Sequence, residues 1–325
     1  MDPRLVTALE ALVGVPLVLV GYIMATEYLV RMARGRWRDR IRPWLWLTPA
    51  LVILTSFLIA PTIQTIWMSL HNKNGTLWQG LDNYAWFMNG PGIASLVNNV
   101  LWVVGLTMGT ITIGLAVAVL ADRVRYESVA KSILFMPMAI SAVASGLIWK
   151  FMYWYQIAGT PQTGVLNEGL THVSVAPVAF LTNPDYKITT FALIFVMVWM
   201  WTGFSMVIIS ASLKSISPEL LEAARVDGAT EWQVFRGITL PLLAPTLAVV
   251  STTMIITALK TFDLVYTLTA NGSYDTQVIA NEMYNQYFKF NNDGRGATLA
   301  VVLLLIIIPV MLFNIRRFRA QEGIR

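Results

Sequence analysis

Apolar residues gather along this chain into seven blocks separated by polar stretches, and the blocks are longer than the helices of a soluble domain. They run near Ala8–Val30, Trp44–Trp67, Ala94–Leu120, Ser132–Trp154, Ile188–Leu213, Leu242–Leu268 and Ala297–Ile315. A bilayer core is spanned by about 20 consecutive apolar residues as helix, because each residue advances only about 1.5 Å. Water is absent there, so the backbone must bond to itself, which a helix does within one segment. The pattern predicts an all-α, polytopic membrane protein with about seven transmembrane helices. The second, third, fifth and seventh blocks contain no Asp, Glu, Lys or Arg. Pro49 and Pro61 interrupt the second, which is tolerated when neighbouring groups satisfy the freed carbonyls.

Composition agrees. Of 325 residues, 56% are hydrophobic and 13% charged, against roughly 25% charged in a soluble domain. The net charge of +5 does not point to nucleic acid, because the basic residues sit between apolar blocks and encode orientation. Arg31, Arg34, Arg36, Arg38, Arg40 and Arg42 fill the first connection, and Arg123, Arg125 and Lys131 the third. Lys214, Arg225 and Arg236 fall in the fifth, and Arg316, Arg317, Arg319 and Arg325 in the tail. These stretches hold 16 of the 23 basic residues, which places them in the cytoplasm and the N-terminus outside. With no cysteine there is no disulfide or thiol chemistry, and the two histidines, His71 and His172, make no metal signature. The first block lacks the basic flank and small-residue cleavage site of a secretion signal.

Three charges remain within or at the rims of the later blocks. Lys150 can snorkel beside Trp149 and Trp154. Lys260 and Asp263 are three apart on one expected helix face, either as an ion pair or as a substrate or ion contact. Asn74-Gly-Thr76 and Asn271-Gly-Ser273 read as turns.

One connection differs from the rest. Residues 214–245 read KSISPELLEAARVDGATEWQVFRGITLPLLAP. Ser217 suits an N-cap and Pro218 the first position of a helix carrying Leu220, Leu221 and Ala224 on one face. Gly228 is placed to end that helix in a left-handed conformation. Thr230 and Gln233 form a capping-box pair opening a second helix, with Val234, Phe235 and Ile238 pointing one way. Pro241 is expected to stop it. A helix–turn–helix with a shared apolar face, hung between two spans on the cytoplasmic side, is a docking element. Glu219, Glu222, Asp227 and Glu231 argue against its lying on an anionic lipid surface.

This segment resembles the signature of binding-protein-dependent ABC importer permeases: E-A-A, three residues, G, nine residues, I, one residue, L-P. Glu222, Ala223, Ala224, Gly228, Ile238, Leu240 and Pro241 fill every position, a match expected by chance on the order of 10⁻⁸ per start. Asp227, Ala229 and Phe235 agree with the carbohydrate-uptake (maltose/α-glucoside type) branch. The resemblance covers residues 44–320 as the permease domain. It takes in Gly80-Leu81-Asp82-Asn83-Tyr84 (G-x-x-N-Y), Asn98-Asn99 and Phe262-Asp263…Leu268-Thr269. Asn271-Gly272-Ser273 departs from the family's Gly-Gly-Pro. Residues 1–43 are an extra N-terminal helix and basic linker, as in α-glucoside-type permeases, and 321–325 a cytoplasmic tail.

The resemblance implies a transport subunit, not an enzyme, in a bacterial cell (inner) membrane. Its expected partners are a second homologous permease, two ATP-binding subunits and an extracytoplasmic solute-binding protein, with a sugar as cargo. The chain has no G-x-x-x-x-G-K-S/T, so ATP and Mg belong to the partner ATPases, reached through loop 214–245. Aligned on the signature, positions lining the sugar site of maltose-type permeases fall on Met197, Trp201, Phe204, Met254, Thr257, Ala258 and Thr261, though the residue types differ; helix–helix packing is the alternative role. Two other classes fit less well. A secondary, ion-coupled transporter needs carboxylates in broken helices, whereas Glu10, Glu27 and Asp263 sit towards the rims. An intramembrane enzyme needs a nucleophile or metal set that is missing from the sequence.

Overall fold

The computed structural model describes residues 3–32, 36–122, 124–157, 159–183 and 185–322. Arg34, Arg123 and Arg325, counted above among the orienting residues, lie outside them. Among the described residues, six helices are long and apolar enough to cross a membrane, or seven when one bent pair counts as a single span. The expectation of about seven membrane helices holds.

The chain divides into two units, Met1–Gln64 and Thr65–Arg325. In the first, α1 (Pro3–Met32) contacts α2 (Arg36–Leu54), and the Tyr22 hydroxyl donates to the Leu45 carbonyl. A π turn over Thr55–Ile59 carries α2 on into α3 (Ala60–Ser69). Pro61, one residue beyond Ala60, has no N–H to donate, so the register of the bonds shifts and the helix continues.

The second unit opens with α4 (Asp82–Asn89), α5 (Pro91–Ala121), α6 (Glu127–Phe135), α7 (Ala142–Met152) and α8 (Val165–His172). Then come α9 (Ile188–Leu213), α10 (Pro218–Val226), α11 (Glu231–Val234), α12 (Leu240–Leu259), α13 (Asp263–Leu268), α14 (Ile279–Tyr284) and α15 (Asp293–Glu322). At its centre lies α9, with 67% of its apolar window buried against 28% for α5 and α15. Trp102 and Leu106 of α5 meet Leu193, Val196 and Met206 of α9 and Leu243 and Met254 of α12 in one fully buried core. Lipid is as apolar as leucine, so close packing, not escape from water, holds such helices together. Glycine makes the approach possible: a Cβ at Gly109 would lie 2.7 Å from Val198, and one at Gly114 2.8 Å from the Ser205 Cβ.

Two expected spans are broken. The Ser132–Trp154 block bends by 101° between α6 and α7. Pro137 sits in a 3₁₀ turn at the bend, and the Ser141 hydroxyl caps the new helix by accepting from the Ala144 N–H at 3.2 Å. The Leu242–Leu268 block stops at Leu259 and restarts at Asp263. The two restarted pieces, α7 and α13, pack on each other, with Gly146 close to Thr267 and Leu264. Trp149 is not the snorkelling companion expected for Lys150: it is buried against Tyr153, Phe195 and Trp199.

The expected turns are present, with Gly75 at φ +71° and Asn271 and Gly272 at +65° and +93°. The G-x-x-N-Y segment works as a clasp. Asn83 Nδ2 donates to the Ser69 and His71 carbonyls at 3.0 and 2.7 Å, and the Tyr84 hydroxyl lies 2.8 Å from Ser69 Oγ.

Candidate functional site

The signature loop is two short helices joined by a tight, fully bonded turn. Gly228 adopts φ +86°, which an L side chain resists. Its N–H donates to the Arg225 carbonyl and that of Ala229 to the Ala224 carbonyl, both at 3.0 Å, which makes a Schellman motif. The capping box is formed as expected: Thr230 Oγ1 accepts from the Gln233 N–H, and Gln233 Oε1 from the Thr230 N–H. Arg225 closes the turn with a two-pronged bond to Glu231 at 2.7 and 3.3 Å, which raises the guanidinium pKa further.

Three expectations for the loop need correction. Ser217 stands at the N-cap position, but its hydroxyl donates to the Glu219 carboxylate instead of accepting a helix N–H. That bond is the main reason the Glu219 pKa is lowered. The shared apolar face of this docking element is partly covered within its own chain, since Leu221, Val234 and Phe235 line a cleft with Val119, Leu213 and Ile216. What remains exposed is Leu220, Val226 (87%) and Trp232. Lastly, Pro241 does not stop the second helix. A π turn over Phe235–Thr239 absorbs its missing N–H, and the helix runs unbroken from Glu231 to Leu259.

Of the signature residues, Glu222, Ala223, Asp227, Gly228 and Pro241 are exposed, and Ala224, Ala229, Phe235, Ile238 and Leu240 half-buried. At the loop's base lies an ion cluster in which only the Glu127–Lys131 pair, four residues apart on α6, is local. Lys214 Nζ is 2.7 Å from Glu127 and 3.8 Å from Asp122, and Lys131 bonds both Glu127 and the Ser210 hydroxyl. These groups come from the ends of α5, α6 and α9, more than 80 residues apart in the case of Glu127 and Lys214.

At the far end of the same long helix lies a cavity of about 300 Å³. Met197 and Trp201 of α9 line it together with Thr257 and Thr261, while Ala142 and Leu264 come from the two restarted helices. Four of the seven sequence-aligned positions therefore meet at one cavity. Met254 and Ala258 do not: both are fully buried in the core. Phe204 meets the edge of Trp201 at 5.7 Å between ring centroids and stands outside the lining. Lys260 and Asp263 do line it, but the break between α12 and α13 separates them, and no ion pair joins them among the described residues. A helix break that places a lysine and a carboxylate on a cavity wall is how membrane carriers expose polar groups to cargo.

Opposite the loop, Asn98 and Asn99 pin the segment that follows α13. Asn98 Nδ2 donates to the Asp275 and Gln277 carbonyls at 3.0 and 2.8 Å, and Asn99 Oδ1 accepts from the Ile279 N–H at 2.8 Å. Lys187 adds a bond to Asn98 Oδ1 and an ion pair with Asp275.

Comparison with known proteins agrees with this geometry. Residues 110–318 match the family described as "Binding-protein-dependent transport system inner membrane component". The osmoprotective compounds uptake permease GgtC of Synechocystis sp. is 48% identical over 282 residues, covering 86% of this chain and 100% of that protein. The alpha-glucoside transport system permease AglF of Rhizobium meliloti is 39% identical, covering 98% and 99%. Among solved structures, a bacterial ABC transporter involved in import of the acidic polysaccharide alginate superposes with TM-score 0.70 at 27% identity, over 86% of this chain and 98% of that one. A second structure of the bacterial alginate transporter holds an alginate pentasaccharide-bound periplasmic protein. This chain belongs to the binding-protein-dependent inner membrane components, the membrane-spanning permease subunits of ABC importers.

Proposed function

We propose that this subunit forms, with a second homologous permease, the pathway by which an ATP-driven importer takes up an oligosaccharide of the α-glucoside class. The observation that carries the reading is the single helix from Glu231 to Leu259. Its first turn belongs to the exposed signature loop and its last turn to the cavity wall. Its 29 residues reach about 43 Å, so a displacement at the loop is delivered to Thr257 and Lys260 by one rigid element.

Two cytoplasmic ATPase subunits, carrying ATP and Mg, dock on the loop, with Glu222, Val226 and Trp232 on the contact face. An external solute-binding protein delivers the sugar. Closure of the ATPases moves the loop, and the spans rock between outward- and inward-open states around the cavity. Trp201 offers a ring face to a sugar, and Lys260, Asp263, Thr257 and Thr261 offer groups for its hydroxyls. The sugar class is supported by the named cargo of the AglF relative and by the saccharide cargo of the structural neighbours.

The test is uptake of radiolabelled maltose, trehalose and sucrose by the four-component complex in proteoliposomes, with and without internal ATP. ATP-dependent uptake of at least one is expected. Uptake that ignores ATP and collapses with an ionophore would sink the proposal.

A further inference from the structure

A second, larger cavity lies beyond the first, in the segment between α13 and α15, and nothing in the mechanism above uses it. Its volume is about 710 Å³, within the range of small-molecule sites of about 300–1,000 Å³. One wall is aromatic: Tyr266, Tyr284 and Phe288. Those rings form a connected series, with centroids 5.4 Å apart for Tyr266–Tyr284 and 4.8 Å for Tyr284–Phe288. Phe262 extends the series inward, stacked on Tyr266 at 5.3 Å, and itself lines the 300 Å³ cavity beside Trp201. A second part of the lining is polar, with Asn271, Ser273, Gln277 and Lys289.

This wall is held in place by its own bonds. Asn281 Nδ2 donates to Asn271 Oδ1 at 2.7 Å, and Asn271 Nδ2 to Asn285 Oδ1. Gln277 is bonded to the buried Glu282 carboxylate, whose other oxygen accepts from Gln286 at 2.6 Å. The backbone is strained there as well. Ala270, Asn271, Tyr274 and Asp275 all have φ between +49° and +65°, and Asn285–Lys289 is a π turn. Left-handed non-glycine residues and π turns are costly and persist where surrounding bonds enforce them, which is common at binding sites.

We infer that this outer cavity is a saccharide-binding station that receives the sugar before it reaches the inner cavity, with the Phe288–Tyr284–Tyr266–Phe262 series as the sliding face between the two. A hydrocarbon ligand would cover the Lys289 ammonium, the Ser273 hydroxyl and the remaining bonding capacity of the amides without using them, and an anion would meet one cation, Lys289, among neutral groups. A sugar ring suits both walls, since its C–H face packs on aromatic rings and its hydroxyls both donate and accept. The inference rests on the sugar reading above and adds a second site to it.

The test uses the complete importer in proteoliposomes, with whichever α-glucoside the wild-type complex imports. Phe288 is 71% exposed, so Phe288→Ala and Lys289→Ala remove cavity wall without disturbing the core. Each variant should lower uptake at limiting sugar about tenfold, while the complex still co-purifies and its ATPase still responds to loaded binding protein. Phe288→Tyr should restore uptake. Normal uptake in both alanine variants overturns the station. So does loss of uptake together with loss of complex assembly or binding-protein response, which would assign this face to a protein partner. If the wild-type complex imports no α-glucoside at all, the sugar reading itself falls and takes the station with it.

Discussion

Arg225 and Glu231 face each other across the turn at Gly228, with Nε and Oε1 2.7 Å apart, and so lock the two helices of the signature loop into one body. A solvent-exposed pair of this kind adds little to stability. Its effect is on geometry: tilting α10 against the first turn of the helix that ends at the cavity would break this bond.

The turn itself is the most sensitive point. Gly228→Val places a branched side chain at φ +86°, and although no neighbouring atom obstructs it, the backbone conformation does. ATPase co-purification and sugar uptake should both fall sharply, with membrane insertion unchanged. Glu222→Ala should weaken uptake more than insertion, since stranding a charge at a desolvated contact costs about 3–5 kcal/mol. Arg316→Ala, on the exposed end of α15, serves as the control and should be silent in both assays. Normal uptake in Gly228→Val would exclude this loop as the coupling element.

Reversing the pair tests the lock. Glu231→Arg alone should lower the coupling of ATP hydrolysis to uptake, and adding Arg225→Glu should recover most of it. A double variant no better than the single one would show that the ion pair does not transmit motion.

Packing of α5 on α9 gives a stability prediction. Gly114→Leu forces a side chain against Ser205 and the Met206 backbone, an overpacking expected to cost about 1–3 kcal/mol or more. The thermal midpoint of the detergent-solubilised complex should drop, whereas Gly169→Ala, with no atom within 4 Å of the new Cβ, should leave it unchanged.

Burial pushes the Glu282 carboxyl above its ordinary pKa, against the opposing effect of its bonds to Gln286 and Asn285. The folded state then holds this proton more tightly than the unfolded chain does. The resulting stabilisation is complete below the ordinary carboxylate pKa and is lost as pH rises through the raised folded value. Thermal stability should therefore increase on acidification across that window, and Glu282→Gln should flatten the dependence. An unchanged slope in Glu282→Gln would place the titration elsewhere.

Sidedness can be read without background because the chain has no cysteine. Ser273→Cys should react with an impermeant maleimide in intact cells, and Ser215→Cys only after permeabilisation; both positions are exposed. Labelling of Ser215→Cys from outside would invert the orientation.

Membrane class, the number of spans, and the loop's turn and capping box were legible in the chain, because each depends on neighbours within one or two helical turns. Apolar run length makes a span, Gly228 makes a left-handed turn, and Thr230 with Gln233 makes a capping box. Helix breaks were harder to read. Pro137 and Ser141 mark the bend between α6 and α7, yet Pro241 marks none, since a proline in a membrane helix breaks it or is absorbed by a π turn according to what packs around it. Only the tertiary structure could bring Met197 and Trp201 to Thr257, Thr261, Lys260 and Asp263, or send Met254 and Ala258 into the core instead. Those outcomes depend on how far two helices rotate and how closely they approach, which glycines about 90 residues away along the chain decide, such as Gly109 beside Val198 and Gly114 beside Ser205. No periodicity within either helix carries that information.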